Sequence, residues 1–271
     1  STSGDWSLFA QRLAKDHLNM DDVLARFASS GVANADLPPF AWVKDSEWIL
    51  SALSNTNGDA LGYPVDPIKT LPFQELFSNL SLLAYQEVEK GVSSKALASF
   101  NQSAIQDLIH ALLKQITDLT SPFLYSDFVK DLKSQMPDGK LLASDADTNR
   151  NLYDGFIRKM QAGGLMKHIE AKPVLLRLMA SVIRQWINTT IELIHRVSQD
   201  LPQIQEKILG TSVSIQVSEV GGDLSDPHNL GHAVQIIGFN DGSKALYKPK
   251  DLRLDAAWVN LVDYLNSQNP T

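Results

Sequence analysis

Up to about residue 210 the apolar positions recur at helical spacing, and strand-like alternation is hardly seen. The clearest stripe starts at Pro173, a favourable first helical residue, and runs through Leu175, Leu178, Met179, Val182, Trp186, Ile187, Thr190, Leu193, Ile194 and Val197. That spacing predicts one long amphipathic helix. Two more are predicted over 103–119, where Ile105, Leu108, Ile109, Leu112, Leu113 and Ile116 share a face, and over 76–89. No fixed period repeats along the chain, which argues against a solenoid.

Two breaks interrupt the helical pattern. Residues 55–72 carry Asn-Thr-Asn-Gly-Asp followed by Pro64, Pro67 and Pro72, too rich in Gly and Pro for regular structure, and a long surface loop is expected. Residues 136–151 carry Pro137-Asp138-Gly139 and the run Ser144-Asp145-Ala146-Asp147. With little apolar area to bury there, an exposed, mobile loop is expected.

After Gly210 the period changes to two. Val213, Ile215 and Val217 alternate with Ser214, Gln216 and Ser218 on a first strand. Residues 233–239 read as a second strand, Asn240-Asp241-Gly242-Ser243 as a tight turn, and 244–248 as a third strand. Asp255 is then expected to cap a helix whose Trp258, Leu261, Val262 and Leu265 face one way. The fold class is therefore α+β: a mainly α-helical region over 1–210, then a small antiparallel β-meander plus helix over 211–271. The last unit reads as incomplete at its C-terminus.

Composition narrows the classes. The 271 residues, 44% hydrophobic and 20% charged, have the make-up of an ordinary soluble globular protein with a core that needs no staples. No cysteine is present, so these residues hold no disulfide, thiol nucleophile, iron–sulfur cluster or thiolate zinc site. A net charge of −7 disfavours a dedicated nucleic-acid binder. No stretch reaches the roughly 18 apolar residues of a membrane span, and Ser1-Thr2-Ser3-Gly4-Asp5 lacks a signal layout. A cytoplasmic chain is expected, its small polar opening suggesting a tag remnant or a trimmed end.

Candidate chemistry concentrates between the first two strands, in Gly221-Gly222-Asp223-Leu224-Ser225-Asp226-Pro227-His228-Asn229-Leu230-Gly231-His232. Glycines let backbone N–H groups approach an anion, while Asp226 and His228 are candidates to orient a hydroxyl or accept its proton. The same composition also serves a plain connection between strands, and the residues alone leave both readings open. His228 and His232, four apart, would aim at one metal on a helix, but Pro227 and Gly231 oppose a helix. His17, His110, His168 and His195 supply no third ligand by spacing, so no metal site is expected. Lys248, in Tyr247-Lys248-Pro249-Lys250, is either a point cation for nucleotide phosphates or an edge-strand lysine that blocks aggregation. Tyr247 and Trp258 are read as core residues.

Taken together, Asp226-Pro227-His228-Asn229, Gly231, Val234, Phe239, Gly242, Tyr247-Lys248-Pro249-Lys250 and Leu254-Asp255 resemble the dehydratase domain of class II lanthipeptide synthetases, the LanM type. Upstream, Pro173-Val174-Leu175-Leu176-Arg177-Leu178 with Trp186, Arg196-Val197 and Asp200 resemble the helix that precedes this hairpin. The resemblance implies a kinase N-lobe of lipid-kinase type in a bacterial enzyme that uses ATP and Mg²⁺. Such an enzyme phosphorylates Ser and Thr of a leader-bearing precursor peptide and then eliminates phosphate, giving dehydroalanine and dehydrobutyrine. On that resemblance Lys248 is the cofactor-binding lysine, and Asp226 and His228 are the catalytic loop residues. Lys250 stands where the family commonly has Arg, and the helix after Asp255 offers Asp263 but no Glu to pair with Lys248. Zinc is implied only in a cyclase beyond these residues, the partners are the precursor peptide and the remainder of the synthetase, and residues 1–271 alone are expected to be inactive. The other class that fits is a non-catalytic helical module that binds a leader peptide or a partner protein.

Overall fold

The computed structural model describes residues 6–15, 17–29, 41–54, 70–135, 146–210, 214–222, 226 and 228–268. Ser1–Phe40 forms one compact unit, with helices α1 (Ser7–Lys15) and α2 (Met20–Ser29). A reciprocal cap starts α2: the Asn19 N–H donates to Asp22 Oδ2 at 2.8 Å, and the Asp22 N–H donates to Asn19 Oδ1 at 2.9 Å.

Ala41–Thr271 forms the second unit. Its helices are α3 (Ala41–Ser54), α4 (Ser78–Gly91), α5 (Ser94–Leu97), α6 (Gln102–Gln135), α7 (Ala146–Lys159), α8 (Leu165–Glu170) and α9 (Pro173–Gln203). Then come strands β1 (Val217–Gly221), β2 (Gln235–Phe239) and β3 (Lys244–Tyr247), and helix α10 (Arg253–Gln268). The fold is mainly helical with a small three-stranded antiparallel sheet.

Helix α9 is the hub. Pro173 supplies its fixed φ at the first turn, where its missing N–H costs nothing, and Leu175, Met179, Ile183, Trp186, Ile187, Leu193, Ile194 and Val197 are buried along one stripe. Against it pack α3, α4, α5, α6 and α8. Polar ties fix the rim: Arg184 pairs with the buried Asp45 of α3, and the Arg177 guanidinium lies 5.5 Å from the Trp42 ring centroid. A second tie joins α6 to α8, where buried His168 Nδ1 lies 2.5 Å from Asp127 Oδ2; burial holds this imidazole below its ordinary pKa.

Both long predicted helices extend further than their periodicity suggests. Although Pro122 removes a helical hydrogen bond, α6 continues to Gln135 because Leu124 is buried and Phe128 packs on the core beyond the proline. One lost N–H bond is outweighed by that continuing apolar contact. Helix α9 likewise runs through Pro202 before a π-helical turn, Ile204–Ile208. In the break expected over 136–151, helix α7 already starts at Ala146. Residues 136–145, with Asp145, and residues 55–69 lie outside the described residues.

The sheet shows the predicted order with shifted ends. Ile215 and Val217 are buried, as the alternation requires, but the ladder opens only at Val217. Gln216 is engaged elsewhere: its side-chain amide donates to the Ala98 carbonyl at 2.9 Å, and its N–H donates to Asn240 Oδ1 at 3.0 Å. A bulge at Ser218 then shifts the register before Glu219 pairs with Gly238. Val217, Ile237 and Phe239 bury one face of the sheet, with β1 packed on α6, and the Val220 N–H donates to Asp107 Oδ2 of α6 at 3.1 Å. The segment 99–101 covers the outer edge of β1 through bonds of 2.8 Å to the Val217 N–H and carbonyl.

Helix α10 departs from expectation in two ways. Asp255 sits inside its first turn, where it favours the helix dipole, while Asp251 Oδ1 accepts the Arg253 N–H at 3.0 Å. Trp258, read from sequence as a core residue, is 65% exposed, because α10 buries none of its side chains against the described elements. Among the described residues no helix is long and apolar enough to cross a membrane.

These burials predict a contrast in stability. Ile194→Ala, which empties a fully buried site on α9, is expected to cost about 2–5 kcal/mol in urea unfolding. Trp258→Ala is expected to stay within about 0.5 kcal/mol, and a large loss there would mean that α10 is packed after all.

Candidate functional site

The β1–β2 connection, the start of β2 and the residue after β3 meet at one end of the sheet. Antiparallel pairing of Gln235 with Tyr247 fixes this: the chain enters β2 from the loop at the same end where it leaves β3 into Lys248. The topology thus gathers Asp226, His228 and Lys248 at that end, and all three are exposed. No hydrogen bond or ion pair among the described residues joins any two of their side chains.

The loop closes on itself through backbone. The His228 N–H donates to the His232 carbonyl at 2.7 Å, and the His232 N–H donates back at 2.8 Å. Three residues fit between these bonds only with left-handed backbone: Asn229 at φ 43°, Leu230 at φ 66° and Gly231 at φ 98°. The Asn and Gly suit such geometry, whereas Leu230 is strained and its side chain is 76% exposed at the tip. The chain from His228 to His232, with Gly231 inside it, is thus a tight turn and not a helix.

His232 instead reaches the hub helix. Its Nε2 lies 2.9 Å from Glu192 Oε2, and its Nδ1 lies 2.6 Å from the Asn229 carbonyl. Glu192 also pairs with Arg196 one turn on, at 2.5 Å. The Glu192 bond, then the Asn229 carbonyl, raise the His232 pKa above the ordinary imidazole value. Beside them Tyr247 turns a buried hydroxyl toward Arg196; burial raises its pKa, and neither this hydroxyl nor the Gln235 side-chain oxygen completes a hydrogen bond among the described residues. Residue spacing misses this cluster, although Glu192 and Arg196 at i and i+4 on the polar side of α9 are its one sequence trace.

The charges around Lys248 are uneven. Lys244 pairs with Glu219 at 2.9 Å, Lys250 with Asp255 at 3.2 Å, and Arg253 with Asp251 at 2.5 Å. Lys248 has no such partner among the described residues. Its backbone is fixed by a tight turn in which the Lys250 N–H donates to the Lys248 carbonyl at 2.8 Å across Pro249. An exposed, unpaired ammonium on a fixed backbone can take an anion at little desolvation cost. Lys250, engaged with α10, is less available. Among the described residues no three His, Asp or Glu side chains gather as metal ligands. An open depression of about 400 Å³, lined by Lys95, Ser99, Ser214 and Asn240 among others, lies by the β2–β3 turn, at the opposite end of the sheet from Lys248.

Residues 173–271 match the family model of a domain of unknown function, DUF4135. The match begins at the first residue of α9 and takes in the sheet, the loop and α10. No curated protein matches the chain. The hub helix, the His232–Glu192 tie and Lys248 therefore all lie within the DUF4135 segment.

The two loop glycines should respond differently to a methyl group. Gly231→Ala meets both the positive φ and the Gln185 side chain, whose Cβ would be 3.1 Å away, and is expected to cost about 1–2 kcal/mol. Gly222→Ala meets nothing within 4 Å and is expected to be neutral within about 0.5 kcal/mol. Thermal unfolding of the two variants side by side checks the turn geometry.

Proposed function

We propose that the segment from residue 173 onward is the nucleotide-facing part of a lanthipeptide synthetase dehydratase of class II. The observation that carries this reading is Lys248, an exposed cation with no ion-pair partner among the described residues, at the sheet end shared with Asp226 and His228. The DUF4135 match supports it, since this domain is found in lanthipeptide synthetases. In this reading the three-stranded sheet with its following helix corresponds to a kinase-like N-lobe of lipid-kinase type.

The chemistry follows from the side chains. Lys248 neutralises phosphate oxygens of ATP as a flexible point charge, which lowers the cost of bringing a peptide hydroxyl toward them. Asp226 and His228 orient that Ser or Thr hydroxyl and handle its proton. Phosphorylation converts a poor leaving group into a good one, so that loss of the α-proton and phosphate gives the dehydroamino acid. In this reading Mg²⁺ is carried by the nucleotide phosphates.

In a synthetase carrying this segment, Lys248→Ala is expected to abolish phosphorylation of the precursor peptide with the fold retained. Mass spectrometry of the peptide after incubation with ATP and Mg²⁺ reads it directly, and wild-type dehydration by the variant would sink the assignment. Asp226→Asn and His228→Ala are expected to slow phosphorylation and to spare elimination from a peptide supplied already phosphorylated. An equal loss of both steps would remove these residues from phosphoryl transfer.

A second reading is favoured by one observation, the apolar surface that α10 leaves in solvent: Leu254, Trp258, Tyr264 and Leu265 are all exposed. As a non-catalytic module, the chain would bind a leader peptide or a partner protein through such a surface. Peptide binding that is indifferent to Lys248→Ala and lost on Trp258→Ala would favour this reading over the first.

A further inference from the structure

We propose that His232 is a positioning residue: held as an imidazolium between two acceptors, it latches the loop bearing Asp226 and His228 onto α9, and it releases that loop on losing its proton. The two contacts of the ring decide its charge. A carbonyl oxygen can only accept, so Nδ1, 2.6 Å from the Asn229 carbonyl, carries a hydrogen. The Glu192 carboxylate accepts from the Arg196 guanidinium through its other oxygen, and a carboxylate oxygen accepts, so Nε2, 2.9 Å from Oε2, carries one too. A neutral imidazole has a single N–H. Both contacts are satisfied only in the doubly protonated ring.

The groups facing the ring account for the sign of its response. From α9 come Glu192, which favours the cation, and Arg196, which opposes it at longer range. From the loop comes the Asn229 carbonyl, and from β3 the Tyr247 hydroxyl faces the same Glu192 and Arg196. The direct bonds to Glu192 and Asn229 outweigh Arg196 and the partial desolvation of a ring that keeps 25% of its side chain exposed. The folded-state pKa therefore lies above that of an unfolded histidine. The latch is complete below the ordinary imidazole range and is lost as pH rises through the elevated value.

His232 gives the turn from His228 to His232 a hydrogen-bonded contact with α9. Leu230 contributes no burial, three consecutive residues are left-handed, the two backbone bonds between His228 and His232 hold the turn together, and Gly231 comes close to Gln185 of α9. Once the ring is neutral, its one N–H serves either the Asn229 carbonyl, which keeps the turn, or Glu192, which keeps the docking. The position of Asp226 and His228 relative to the sheet end then loosens. Their role as catalytic groups rests on the function proposed above, whereas the latch itself does not.

The test uses the ¹⁵N-labelled chain Ser1–Thr271 without substrate. Long-range ¹H–¹⁵N spectra are expected to show both His232 nitrogens as imidazolium-like at neutral pH, with a titration displaced upward from an ordinary histidine. Hydrogen exchange at the His228 and His232 amides, corrected for its intrinsic pH dependence, is expected to lose about tenfold in protection across that titration. Glu192→Gln should move both events to lower pH. If that variant failed to fold, the wild-type titration alone would decide. A His232 that titrates at the ordinary value, or protection that stays flat through its titration, overturns the latch. In a synthetase carrying this segment, Glu192→Gln is expected to bring the alkaline fall of kcat/KM for precursor phosphorylation to lower pH. Full activity of Lys248→Ala would overturn the functional reading and leave the latch standing; flat amide protection would do the reverse.

Discussion

The structure of the second unit depends on the apolar stripe of α9. Leu175, Met179, Ile183, Ile187, Thr190 and Ile194 follow one another at three- and four-residue steps, so a single helix offers one continuous surface over many turns. Five other helices are packed on it. Since side-chain packing rather than intrinsic propensity supplies most helical stability in proteins, the neighbours hold α9 as much as it holds them. Gly91 marks how closely they approach: a Cβ there would come within 2.5 Å of Ile191 of α9. The polar rim, with Arg184 on Asp45 and Arg177 over Trp42, adds direction to contacts that apolar packing leaves non-specific.

The same helix carries a second, polar interface on its flank. Glu192 and Arg196 are partly exposed beside the buried Leu193 and Val197, and they meet His232 there. The sheet is placed separately, by burial of Val217, Ile237 and Phe239 and by the bond from Val220 to Asp107. The candidate site therefore has two supports of different physical kind. Lys248 follows the sheet and thus the apolar core, while Asp226 and His228 follow a charged contact to α9.

Sequence periodicity reveals the apolar half of this arrangement well, since burial on a regular element leaves a 3.6- or 2-residue trace. The stripe from Leu175 to Val197 and the alternation of Ile215 and Val217 are of that kind. Boundaries were less legible, because a proline's local cost is visible in sequence while the contact that outweighs it is not: Phe128, beyond Pro122, meets the core only in three dimensions. Trp258 shows the converse, an apolar helical stripe whose burial depends on a neighbour that periodicity cannot supply. At the site, Gly231 argues against a helix from sequence, and the turn from His228 to His232 agrees with that. The tie from His232 to Glu192, 40 residues away, was not readable, since a single hydrogen-bonded contact between distant residues leaves no period.

The two supports also differ in their sensitivity to pH. Burial of Ile, Leu and Met is indifferent to protons, so the apolar contacts along the α9 stripe and under the sheet do not themselves change across the imidazole range. A turn with three successive left-handed residues carries of order 1–2 kcal/mol of strain for each non-glycine member, and it stays in place only while something outside it compensates. Outside the turn, His232 meets Glu192 and Gly231 comes close to Gln185, both on α9. The turn from His228 to His232 is thus held on α9 by a contact that includes a titratable group. Lys248 is anchored on the sheet instead, through β3 and the apolar face beneath it, so the latch proposed for His232 acts on one support of the candidate site and not on the other.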